Sequence, residues 1–131
     1  MAEREVRWQG AARTHLDYVV RRISDRDHIR SLLRPRMEYS AYALGQLEPG
    51  LFERTSWYWS RGDTGSGLVL HSRGGLGEAT FVMGDASAIS AVLTIYPGPA
   101  HTYATCQPQH LDALQNVYRL ASQQPMIRMA V

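Results

Sequence analysis

Phe81-Val82-Met83-Gly84-Asp85-Ala86-Ser87-Ala88-Ile89 carries an apolar strand pattern into a helix through almost no loop. In α/β proteins such a junction commonly holds a phosphate, because helix N–H groups and the helix dipole face an anion there. Here the junction offers one glycine and then an aspartate. Asp85 is expected to cap the helix with its own carboxylate, which would satisfy the first amides and set a negative charge before any phosphate. The stretch therefore reads as the scaffold of a nucleotide or coenzyme binder without the chemistry.

Outward from it, the pattern organises the rest of the chain. Upstream, Phe52–Trp59 is rich in β-formers, Arg61–Gly67 is a turn-rich connection, and Leu68-Val69-Leu70-His71 reads as the next strand. Gly74-Gly75-Leu76-Gly77 is expected to turn the chain into Ala79–Met83, completing an antiparallel meander. Two helices precede it. Ser24-Asp25-Arg26-Asp27 supplies a cap for the first, whose buried face is Ile29, Leu32 and Leu33. Pro35 ends that helix, and Met37, Ala41, Leu44 and Leu47 mark the second, which Pro49-Gly50 closes. Residues 1–23 are read as a helical extension outside the domain, with Ala12, Leu16, Val19, Val20 and Ile23 at helical spacing.

Downstream, the helix from Ala86 to about Leu93 closes at Pro97-Gly98-Pro99, and His101–Cys106 is a short strand. Pro108 opens a helix with Leu111, Leu114, Val117, Tyr118 and Ala121 on one apolar stripe. Met126–Val131 has strand character, which suggests that more chain follows or that a partner strand covers it.

The composition narrows function by exclusion. With 131 residues, one domain with a sizeable core is expected. No apolar run approaches the roughly 20 residues of a membrane span, and no secretory h-region follows the charged start, so a cytoplasmic location is expected. The single cysteine, Cys106, excludes an internal disulfide. All 14 basic residues are arginine, which removes lysine-based Schiff-base and P-loop chemistry. A net charge of +2 without interleaved stacking aromatics argues against nucleic acid.

No residue set identifies a reaction, and no catalytic, metal or cofactor ligand is assigned. Histidines at 15, 28, 71, 101 and 110 are scattered without metal-ligand spacing. Cys106 with His101 or His110 matches a thiol–base pair only by proximity, and a lone cysteine is usually a small buried hydrophobe. The residues that stand out are aromatic. On a strand Trp57 and Trp59 share one face while Tyr58 points the other way. One reading places both faces in core packing. The other makes one face a ligand groove or interdomain surface, with Tyr103 in the same wall and Arg128 pairing with an acid across a contact.

The order helix, helix, three-strand meander, helix, strand, helix, strand over residues 24–131 resembles the GNAT superfamily of acetyl-coenzyme A-dependent N-acetyltransferases. More narrowly, Ala41–Phe52, Trp57-Tyr58 and Met126-Ile127-Arg128-Met129 resemble the degenerate N-terminal GNAT-like domain of two-domain members. The resemblance implies an α/β (α+β) fold with a mixed, mainly antiparallel sheet flanked by helices. The family's hallmark is Arg or Gln, two residues, Gly, one residue, then Gly or Ala, whose amides wrap the coenzyme pyrophosphate. The corresponding Met83-Gly84-Asp85-Ala86-Ser87 does not match it. In Arg61–Gly67 each later glycine falls one residue late.

The resemblance thus implies a non-catalytic module that shapes an acceptor cleft or a dimer interface, and Glu78, near the position of a family general base, would have nothing to act on. Its partner would be a catalytic GNAT domain in the same longer chain, or a second copy. Two alternatives stay open: a divergent active acetyltransferase using acetyl-CoA, and a stand-alone binding or assembly domain.

Overall fold

Six strands form one sheet in sequence order: β1 (Trp8–His15), β2 (Tyr18–Ile23), β3 (Thr55–Gly62), β4 (Gly65–Ser72), β5 (Ala79–Gly84) and β6 (Tyr103–Thr105). The computed structural model describes residues 8–15, 17–73 and 78–119. Strands β1 to β5 pair antiparallel, and β6 joins β5 in parallel through the intervening helix. The fold is therefore a mixed, mainly antiparallel sheet flanked by helices, as expected.

Helices α1 (Arg26–Leu33) and α2 (Ala41–Gly45) cover one face; α3 (Ala86–Ile95) and α4 (Leu111–Gln115) cover the other. Strand alternation divides the core accordingly. Trp57, Leu68, Leu70, Phe81 and Met83 pack with Ile29, Leu33 and Leu47 on the α1/α2 side. Tyr58, Val69 and Val82 pack with Ile89, Val92 and Leu114 on the α3/α4 side. A sheet covered on both faces explains why Leu68-Val69-Leu70 and Phe81-Val82-Met83 are continuously apolar. Asp25 caps α1, its Oδ1 accepting from the amides of Asp27 and His28.

The N-terminal extension is corrected. The described part of residues 8–23 is two strands of the same sheet, with Val20 opposite Ser60 and Ile23 opposite Trp57. Val19, Val20 and Ile23 fit a helical spacing, but all three are β-branched and favour the pleated backbone. Val20 and Ile23, an odd number of positions apart, serve opposite core layers.

Smaller differences follow from packing. The second helix is one turn with Ala43 buried, Leu47 is buried just beyond its end, and Met37 is exposed. The connection at Arg61–Gly67 shrinks to Asp63-Thr64, because Gly62 pairs with Gly65 and the ladder runs through both. A 3-10 turn at Pro108–His110 precedes α4, in which Ala113 and Leu114 face the core. The expectations for Gly74–Gly77, Ala121 and Met126–Val131 lie outside the described residues.

Candidate functional site

The junction of β5 and α3 is built from three parts of the chain. Gly84 ends the strand at φ +118°, and Asp85 takes the extended conformation of a helix cap, with its C=O accepting from the amide of Ile89. Its carboxylate, however, makes no bond to the helix. Oδ2 accepts from the backbone N–H of Ser66 at 3.0 Å, and the Asp85 N–H donates to Ser66 O at 2.9 Å. This corrects the expectation that Asp85 closes the first amides of α3: the first turn carries no side-chain cap. The carboxylate reaches back because residue 65 is glycine. A Cβ there would lie 2.6 Å from the carboxylate carbon. Gly67, one pair along, lets Ala88 and Ile89 approach the sheet.

A second set of bonds fills the edge of β5. Strands β5 and β6 pair only from Ala79–Tyr103 to Phe81–Thr105. Successive residues turn their C=O groups to alternate edges, and Glu78 O, which accepts from Tyr103 N, marks the edge facing β6. Beyond Phe81 that edge is taken by side chains. Tyr39 Oη donates to Val82 O at 2.7 Å, and His110 Nε2 donates to Gly84 O at 2.7 Å. The Gln107 N–H donates to His110 Nδ1 at 3.1 Å. His110 is fully buried and neutral, with its proton on Nε2. Burial pushes its pKa below the ordinary value, the bond to Gly84 and the Asp85 charge oppose this, and the Arg36 charge adds to it.

Sequence reasoning missed Tyr39, and it weighed His110 only as a base for Cys106. No local pattern marks Tyr39, which reaches Val82 across 43 positions. His110 had a weak signal, as the histidine three residues after Gln107 at a helix start.

The aromatic expectation separates into parts. Trp57 is buried in the α1/α2 layer, and its Nε1 donates to Thr55 Oγ1 at 2.7 Å. Trp59 packs half-buried against the same layer, and Tyr58 faces the other. Trp57 is thus a core residue. Tyr103 is 78% exposed on β6, three strands from β3 and roughly 14 Å away at ordinary strand spacing. The structure does not bring it to the tryptophans. Arg128 lies outside the described residues. Burial raises the pKa of the Cys106 thiol, the opposite of what a nucleophile needs.

Among the described residues, no three His, Cys, Asp or Glu side chains gather to hold a metal ion, and no helix is long and apolar enough to cross a membrane. Compared with protein-family models, curated proteins and solved structures, the chain finds no significant match.

Proposed function

We propose that this chain is a non-catalytic GNAT-like module of an N-acetyltransferase, which shapes the acceptor cleft of a catalytic domain or forms an interface with a second copy. The observation that carries the reading is the occupied junction. The Ser66 N–H holds the Asp85 carboxylate, a fixed negative charge where a coenzyme pyrophosphate would sit, and His110 engages the Gly84 carbonyl beside it. The meander β3–β5 followed by α3 and parallel β6 agrees with the element order the resemblance implies. In this reading the chain acts in the cytoplasm beside a catalytic GNAT domain and holds no cofactor of its own. Calorimetric titration of the chain with acetyl-CoA is expected to give no saturable heat; tight binding would defeat the reading.

One observation favours a second reading, a divergent acetyltransferase that uses acetyl-CoA. The first turn of α3 has no side-chain cap, so its N–H groups can meet an anion. Acetylation of a simple amine by the purified chain, lost on Ser87→Pro, would support it. Proline at that position removes an N–H while keeping the helical backbone.

A further inference from the structure

At the other end of the β4–β5 pair, a chain of three side chains runs from the core to the surface. His71 Nε2 lies 3.2 Å from Tyr96 O, and Nδ1 lies 3.0 Å from Thr80 Oγ1. Thr80 Oγ1 in turn lies 2.9 Å from Thr102 Oγ1. The carbonyl of Tyr96 can only accept, which places the imidazole proton on Nε2. Nδ1 then needs a donor, so Thr80 donates to it, and Thr80 accepts from Thr102. In this arrangement the Thr102 hydrogen points inward and its lone pairs face a shallow groove formed with Glu78, Ala100, His101 and Tyr103.

The partners that fix Nε2 and the partners that meet Nδ1 differ in kind. Tyr58 lies edge-on to His71 at 6.0 Å and stacks on Tyr96 at 4.3 Å. Gly98 lies against the imidazole, where a Cβ would be 2.6 Å from Nδ1. Tyr118 donates its hydroxyl to the carbonyls of Pro97 and Pro99, and its oxygen is a second hydrogen-bond partner for the Thr80 hydroxyl. Of the charged groups around this end, Arg22 donates to Ser56, the register partner of His71, and Glu78 faces Tyr118. The Nδ1 side of the ring therefore meets hydroxyls, which rotate. His110 differs, because its Nδ1 meets a backbone N–H that cannot turn.

We propose that Thr102–Thr80–His71 is a pH-sensitive polarity switch: a proton taken up at His71 Nδ1 reverses both hydroxyls, so that Thr102 changes from acceptor to donor toward the groove of Glu78, His101 and Tyr103. The step is a proton uptake from solvent with no heavy-atom rearrangement. His71 Nδ1–H donates to Thr80, Thr80 donates to Thr102, and the Thr102 hydrogen turns outward. Burial holds the uptake below the ordinary histidine range, against the bond to Tyr96.

Nuclear magnetic resonance of the whole chain tests this, following the imidazole nitrogens of His71 and the methyl groups of Thr80 and Thr102 through an acid titration. The expected result is one shared midpoint. Thr102→Val should lower that midpoint by about half a pH unit or more. The bond that Thr80 donates to Thr102 in the protonated state is strengthened by the imidazolium charge, and the bond it accepts in the neutral state is not. Tyr118→Phe should shift it less, because the Thr80 hydroxyl keeps Thr102 as its partner. A Thr102 signal that does not move with His71, a larger shift from Tyr118→Phe than from Thr102→Val, or loss of the fold before His71 titrates would each overturn the switch.

Discussion

The carboxylate of Asp85 is bonded to the backbone N–H of Ser66, 19 positions earlier, and not to the helix that Asp85 begins. The bond ties the β3–β4 hairpin to the β5–α3 junction. It also fixes a negative charge at the place where a phosphate would approach.

Gly65→Ala tests that tie. The added methyl must displace the carboxylate, and a loss of about 1–3 kcal/mol is expected in urea unfolding. Asp85→Ala should cost about 1 kcal/mol alone. Because both changes act on one contact, the double variant should lose clearly less than the sum of the two.

Stability should fall below neutral pH. The pKa values of His71 and His110 both lie under their ordinary 6.5, so the unfolded chain takes up protons that the folded chain refuses. Their contribution is present above about pH 6.5 and is lost as pH falls toward the folded values, with a slope of at most about 1.4 kcal/mol per pH unit for each group. Urea midpoints between pH 7.5 and 5 check this. His110→Gln should flatten the slope.

Tyr39→Phe keeps the ring packed 5.1 Å from Phe81 and removes the donor to Val82 O. A loss of about 1 kcal/mol is expected, with no change in secondary structure by circular dichroism. A larger loss would mean that more than one hydrogen bond was removed.

The tryptophans should separate in the same assay. Trp57→Ala removes a fully buried side chain and should cost about 3–5 kcal/mol. Trp59→Ala, at a half-buried position, should cost less than half of that. Equal losses would contradict the division between core and rim.

What could be read from the sequence, and what could not, divides along contact distance. Leu68-Val69-Leu70 and Phe81-Val82-Met83 declare themselves as strands because both of their faces are buried, and Asp25 declares itself as a cap because its partners are two and three residues away. The segment from Tyr18 to Ile23 misleads because its apolar positions fit two periods, and only pairing with β3 decides between them. Asp85 occupies the cap position that its sequence announces, yet the direction of its carboxylate is set by a glycine in a different hairpin. Tyr39 on Val82 and His110 on Gly84 join residues 43 and 26 positions apart, and no local pattern reports such pairs. The mixed sheet and its flanking helices were legible, but the side-chain bonds made at the junction were not.

The most direct measurement is amide chemical-shift mapping of the full chain during titration with acetyl-CoA, read at Ser66, Asp85, Ser87 and Ala88. With the Asp85 carboxylate held at the junction by Ser66, these signals should stay in place up to millimolar coenzyme. Saturable shifts confined to that turn would show a working diphosphate seat and contradict a module without coenzyme chemistry.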